Sequence, residues 1–227
     1  MQTVVVIGGT GTVGSALARA VAAHGAHVVV ADLDEVAAKD LAADLDGTGM
    51  QVDVRDLASV QGLAARVKAE LGVPHAVCST TLSEADPRSW AETDLAAWTA
   101  VRGTDVNGAV HAQLAFLPDL LAAGDARHLL LSTSMAGYLP GHHPGPIGAA
   151  HAALIAIAEV SRVDLAKTSV TVSLMCAPTD ASLLPAVAER AAGTLHGAGF
   201  LAAAPAVGAE ADALRARHAA LRDGFRA

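Results

Sequence analysis

The run Gly9-Thr10-Gly11-Thr12-Val13-Gly14 stands directly behind the apolar stretch Thr3-Val4-Val5-Val6-Ile7 and directly ahead of the helix-like Ser15-Ala16-Leu17-Ala18-Arg19-Ala20-Val21. Glycine permits the sharp turn that joins strand to helix, and it lets the backbone come close to a ligand. The free N–H groups in the first turn of the helix then face that ligand and favour negative charge. A second apolar strand, His27-Val28-Val29-Val30-Ala31, follows and ends at an acid, Asp32. Strand, glycine turn, helix, strand and acid in this order predict a βαβ unit that grips a dinucleotide. Gly8, Gly9, Thr10, Gly11, Thr12, Val13 and Gly14 are the candidate pyrophosphate contacts, and Asp32 is the candidate acceptor for the ribose hydroxyls. An acid there repels a 2′-phosphate, which favours NAD over NADP. Asp32 also fits as a solvated turn acid or as the N-cap of the helix near Glu35.

The alternation continues along the chain. Strand-like runs are read at Thr3–Ile7, His27–Ala31, Met50–Val54, Ala76–Cys78, His128–Ser132 and Val170–Met175. Helical segments separate them, and this pattern predicts an α/β, doubly wound Rossmann fold: a parallel sheet flanked by helices on both faces. Between Ala58 and Leu71 the helical period is plain, with Val60, Leu63, Ala64, Val67 and Leu71 on one face and Arg66, Lys68 and Glu70 on another. Gly72 ends it. Longer helices are read from about Gly108 to Ala122 and from about Gly148 to Ala166. Residues 1–227 are long enough for one domain with a sizeable core, burying about 70–75% of the unfolded surface. The core is expected over 1–180. The alanine-rich stretch from Thr179 carries no confident strand. Ala181–Pro205 fits either a lid over the strand ends or a loose tail, and Glu210–Arg217 fits a short terminal helix.

Hydrophobic residues make up 52% of the chain and the mean hydropathy is +0.41, so the apolar runs bear on a membrane reading. Each is broken by His, Asp or Gly short of the roughly 20 residues a spanning helix needs, and no membrane partner is expected. The first residues lead into a strand without a basic n-region, so no secretory signal is read and a cytoplasmic location is expected. The formal charge of -8 is spread along the chain, and aromatic residues are only 3%, which argues against nucleic acid as a partner. Cys78 and Cys176 each end a predicted strand without C-x-x-C spacing, and read as buried free thiols.

Together these features resemble the short-chain dehydrogenase/reductase family over about Thr3 to Pro178. Asp53-Val54 ends the third strand, where the family has an acid beside the adenine. Trp98–Leu117 matches its long interface helix, and Ser132-Thr133-Ser134-Met135-Ala136-Gly137 looks like its S-S-x-A-G active-site segment. Gly8, Gly11 and Gly14 read as the G-x-x-G-x-x-G variant of its extended and atypical branches. Cys78-Ser79-Thr80-Thr81 replaces the N-N-A-G that follows the fourth strand, which makes Ser79 and Thr80 candidate cofactor contacts. Ala177-Pro178 stands where proline-glycine is usual. The resemblance implies an NAD(P)-dependent oxidoreductase for a small organic carbonyl or alcohol. It also implies pairing through the two long helices into a homodimer or homotetramer, and the alanine-rich lid suggests a largely apolar small-molecule substrate.

The family's reaction depends on a Y-x-x-x-K pair, and Ile147-Gly148-Ala149-Ala150-His151 occupies that place. Isoleucine carries no proton to give. Asp105 replaces the family's helix asparagine when Trp98 and Gly108 are kept in register, with Asn107 close by in a shifted one. The candidates for proton transfer are therefore Ser134, His151, Asp105, Tyr138 and His143, together with His142. Imidazole ordinarily titrates near pH 6.5, at about the right point for acid or base work. At the lysine position His151 is one helical turn from the tyrosine position, so it is also a candidate ribose contact. Ser134 also fits as a turn cap, His151 as a satisfied helix histidine and Tyr138 as a wall residue, with His142 and His143 read as structural. The histidine spacing provides no metal site. Three functions stay open: an oxidoreductase with a non-standard proton donor, a non-redox lyase, isomerase or cyclase on the same scaffold, and a non-catalytic NAD-binding protein.

Overall fold

Valine, leucine and isoleucine fill successive positions of the strands, so both faces of the sheet need a cover of helices. The structure, a computed structural model, describes residues 2–83, 89–140, 145–195 and 201–203, with Asp212, Ala213, Ala216 and Ala219 beyond them. Its strands are β1 (Thr3–Ile7), β2 (His27–Asp32), β3 (Thr48–Gln51), β4 (Ala76–Ser79), β5 (Arg127–Ser134), β6 (Val170–Ala177) and β7 (Leu201–Ala203). They form one sheet in the order β3-β2-β1-β4-β5-β6-β7, every pair parallel. The chain winds outward from β1 to β3 and returns to β4 on the other side of β1. The carboxyl ends of β1 and β4 therefore flank the switch point at which such sheets open a crevice.

The helices are α1 (Thr12–Ala23), α2 (Glu35–Asp44), α3 (Leu57–Leu71), α4 (Leu95–Val101), α5 (Gly108–Ala122), α6 (Met135–Tyr138), α7 (Pro146–Asp164) and α8 (Leu184–Thr194). A π-helical segment, Arg102–Asn107, joins α4 to α5. The two-residue period of the strands sorts the core into two layers. Val5, Ile7, Leu129, Leu131 and Leu174 pack with Val60 and Leu63 of α3, Phe116 and Leu120 of α5 and Leu154 of α7. Val4, Val6, Val28, Val30 and Leu130 face the other way, toward Leu17 and Val21 of α1, Leu41 of α2 and Val187 of α8. Both cysteines are buried, and burial pushes the Cys78 thiol well above its ordinary range.

Several expectations change. β3 begins and ends two to three residues earlier than read, because Gly49 lies directly under α2, where a Cβ would stand 2.5 Å from Lys39 Cα. Asp53 and Val54 consequently lie beyond the strand end. β5 and β6 each run two residues further than read, carried by their mutual pairing from Arg127↔Val170 to Ser134↔Ala177. Neither a lid nor a loose tail describes 181–195. Leu184, Val187, Ala188, Ala191 and Ala192 are buried against α1, which makes α8 part of the outer layer, and β7 adds a strand that was not expected. Of the terminal helix read at 210–217, Asp212, Ala213 and Ala216 are described and helical. At 19 residues with a mean hydropathy of 1.2, α7 is long and apolar enough to cross a membrane, contrary to the reading of the runs. Here it covers β5 and β6, with Ile147, Leu154 and Ala158 turned inward. Asp34 caps α2, accepting from the N–H groups of Val36 and Ala37 at 3.0 Å each, which leaves Asp32 free of that role.

Candidate active site

The glycine turn is built by close approach. Gly8 has φ +77°, a left-handed conformation that suits glycine, and its N–H and that of Gly9 donate to the Ala31 carbonyl at 2.8 and 3.1 Å. A Cβ on Gly14 would lie 2.0 Å from the Gly8 carbonyl oxygen, so the start of α1 rests directly on the loop. Thr80 Oγ1 donates to the carbonyls of Ile7 at 2.7 Å and Gly8 at 3.2 Å and closes the loop from the β4 side. Ser79 is buried in the sheet, its carbonyl accepting from Ser132 Oγ at 3.0 Å. Unlike α2, α3 and α4, α1 has no side-chain cap, so its first N–H groups remain open to a phosphate.

Two cavities flank this loop. One of about 160 Å³ is lined by Gly8, Asp32, Leu33, Val52, Asp53, Val54, Arg55, Thr81 and Thr104. In it Asp32 Oδ2 accepts the Thr10 N–H at 3.0 Å and Oδ1 accepts the Leu33 N–H at 2.7 Å. Arg55 donates to both oxygens of Asp53, at 2.9 and 2.7 Å, and this hydrogen-bonded cation holds the Asp53 carboxyl below the usual carboxylate range. The other cavity, of about 390 Å³, is lined by residues that include Gly11, Thr12, Val13, Ser83, Ser134, Ile147 and His151. An uncapped helix start between two pockets, with an acid at one side, fits an adenine dinucleotide.

Ser134 ends β5 and caps α6, accepting the Ala136 N–H at 3.2 Å. His151 faces it from the second turn of α7, and that helix is fixed to β5 by Thr133 Oγ1 donating to the His151 carbonyl at 3.0 Å. The π-helical segment turns Asp105, rather than Asn107, onto the same imidazole. Such a widened turn is a common device at functional sites. The Ser134 Oγ to His151 Nδ1 distance is 2.7 Å, and His151 Nε2 lies 3.1 Å from Asp105 Oδ2. A carboxylate only accepts, so the ring hydrogen belongs on Nε2 and the Ser134 hydroxyl donates to Nδ1. Asp105 is fully buried, a position that is costly without partners. Ser83 provides two, donating its N–H at 2.8 Å and its hydroxyl at 2.6 Å to Asp105 Oδ1.

Ser134, His151 and Asp105 are thus brought together, and the first two line the larger cavity. Tyr138 is not brought to them. It sits at the end of α6 against the α7 layer, and burial pushes its phenol up to about 12. His142 and His143 lie outside the described residues. Ile147 packs on Val101, Ala136 and Ala150 and presents an apolar wall where a proton donor was sought. Sequence reasoning missed Ser83, which carries no local signal because its partner stands 22 residues further on. It also missed the pairing of Arg55 with Asp53, for which the i, i+2 spacing of opposite charges was the available clue.

A model of the short chain dehydrogenase family matches residues 2–188. The chain is similar to the C alpha-dehydrogenase of Sphingobium sp. strain SYK-6, 27% identical over 184 residues that cover 79% of this chain and 60% of that protein. It is 33% identical over 182 residues to a 1-deoxy-11-beta-hydroxypentalenate dehydrogenase of Streptomyces avermitilis, covering 77% of this chain and 67% of that one. A probable oxidoreductase, EphD, of Mycobacterium tuberculosis is 29% identical over 182 residues, and the match spans only 30% of its length. The fold is shared with the crystal structure of the LigD apo form from Sphingobium sp. strain SYK-6, at TM-score 0.88 and 24% identity, over 98% of this chain and 96% of that one. The names of these relatives are those of dehydrogenases and oxidoreductases, and the residues that the family model matches take in the glycine loop, Ser134 and His151 alike. The chain belongs to the short-chain dehydrogenase family.

Proposed function

We propose that the protein transfers hydride between a nicotinamide dinucleotide, NAD in preference to NADP, and a small, uncharged carbonyl compound or its alcohol. The observation that carries this reading is a single cavity lined both by Gly11, Thr12 and Val13 and by Ser134 and His151, with Asp105 hydrogen-bonded behind the imidazole. The nicotinamide, when bound, gives or takes the hydride. On this reading the Gly8–Gly14 loop and the start of α1 hold the phosphates, Asp32 takes the ribose hydroxyls and disfavours a 2′-phosphate, and Asp53 and Val54 border the adenine. In alcohol oxidation Ser134 Oγ accepts the substrate's hydroxyl proton as its own proton passes to His151 Nδ1. Asp105 stabilises the imidazolium so formed. Carbonyl reduction runs the relay in reverse. Leu82, Met135, Ala136, Ile147, Ala177 and Pro178 make the wall apolar, which supports an uncharged, largely apolar substrate.

Purified protein given NADH and a panel of apolar ketones and aldehydes should consume the cofactor's near-ultraviolet absorbance, with NADPH a poorer substitute. His151→Ala should lower kcat by about 10²–10⁴-fold, the usual worth of a positioned base, while leaving the Kd for NADH nearly unchanged. Cofactor turnover that this substitution does not slow would overturn the relay, and no turnover with any carbonyl would overturn the redox reading. A second reading, a lyase or isomerase, is favoured by the fact that the proton relay is complete without any nucleotide. Product formation after the protein is stripped of cofactor would select it. Either way residues 1–227 are read as one domain, and two copies are proposed to pair through α5 and α7.

A further inference from the structure

We infer a second activity that needs no dinucleotide: Ser134 acts as a nucleophile toward esters of small, uncharged acids and alcohols. A serine hydroxyl is a weak nucleophile until a neighbouring base takes its proton as it attacks. His151 Nδ1 is such a base, 2.7 Å from Ser134 Oγ, and its other nitrogen is held by the fully buried Asp105 at 3.1 Å. This is the nucleophile, base and orienting acid of an acyl-transfer site, which is recognised by geometry and roles rather than by chain order. Here the serine meets Nδ1 and the acid meets Nε2, and either ring nitrogen serves as the base when the other carries the hydrogen. Ser83 makes the acid rigid with two further hydrogen bonds. Such support is what a site needs to hold its base in line.

Ile147 adds an apolar wall to the cavity of about 390 Å³, which offers Ser134 a largely apolar chamber. Among its described lining residues none is an acid, a lysine or an arginine. Ser134 Oγ bonds to the ester carbonyl carbon, and its proton moves to His151 Nδ1. The carbonyl–alkoxy bond breaks, and the leaving alcohol takes that proton. Water then attacks the acyl-serine, gives its proton to Nδ1, and releases the acid as Ser134 regains its hydrogen.

The test uses the protein without nucleotide and p-nitrophenyl acetate and butyrate, whose phenolate leaves unaided. The expected result is release of p-nitrophenolate, with an acyl adduct on Ser134 located by peptide mass spectrometry. His151→Ala should slow release by about 10²–10⁴-fold, and Ser134→Ala should abolish the adduct. Because Ser134 also caps α6, the unaltered protein is labelled in parallel with a fluorophosphonate probe, which should modify Ser134 and do so faster than in His151→Ala. Probe or acyl group found elsewhere than on Ser134, or hydrolysis equal in Ser134→Ala, would overturn the proposal. The hydride-transfer reading is scored separately on NADH turnover, so either can fail alone.

Discussion

Asp105 and Tyr138 show opposite uses of burial. A carboxylate removed wholly from water is tolerated because three hydrogen bonds reach it, two from Ser83 and one from His151, and this makes it a fixed anchor for the imidazole. Tyr138 is half-buried against the α7 layer, and loss of solvation favours its neutral phenol, with the nearby Cys176 and Glu159 adding to the effect. It is the chain's only tyrosine, so its ionisation can be read directly from tyrosinate absorbance. The midpoint is expected near 12, against about 10 for a free phenol. The folded pKa is the higher one, so the phenol's contribution to stability is complete below the ordinary tyrosine range and is lost as pH rises through the folded value. A titration centred near the ordinary value would show that the side chain is solvated and bring it back as a proton donor.

The element that positions most of the site is the junction of β1 and α1. Helix and loop touch through Gly14 so closely that one methyl group cannot enter without moving the backbone of Gly8. Gly14→Ala is expected to cost about 1–3 kcal/mol of stability, the usual effect of forced overpacking, and to weaken dinucleotide binding, because the displaced loop no longer presents its N–H groups. Thermal unfolding and calorimetric titration with NAD measure the two effects. An unchanged Kd would mean that the loop does not contact the ligand. The π-helical segment between α4 and α5 acts in the same way on the other wall, since a regular helix there would rotate Asp105 away from His151. Of the elements themselves, β1, β2, α3 and α5 were legible as strong periodic runs. β3 was misplaced because Gly49 breaks the apolar pattern for a reason that lies on α2, and β7 was missed because its three residues have no pattern of their own.

Across the molecule, both faces of the sheet are covered, yet apolar side chains remain outside. Leu114 and Leu121 of α5 and Val160 and Val163 of α7 are exposed, at 57%, 39%, 59% and 64%. The two helices are tied together by Ser161 donating to Gln113 at 2.7 Å, so they present one rigid surface. Exposed apolar side chains on two linked helices suit an interface between copies of the chain. Light scattering after gel filtration should give a dimer or tetramer, and Leu114→Lys with Val160→Lys should shift it to monomer while circular dichroism stays unchanged. An assembly that survives both substitutions would place the interface elsewhere.

The doubly wound fold and the glycine loop could be read from the chain alone because both are written locally: apolar runs of fixed length, a turn that only glycine makes, and an acid at the end of a strand. The residues Ser134, His151 and Asp105 could be named in the same way, by register against a family pattern. Their union could not, since it joins the end of β5, the second turn of α7 and a π-helical turn, separated by 17 and 46 residues. Nor could Ser83 be found, or the packing of α8 on α1. Such contacts are set by the sheet order and by which face each helix turns inward, and those are decided by the packing of the whole chain rather than by any segment of it.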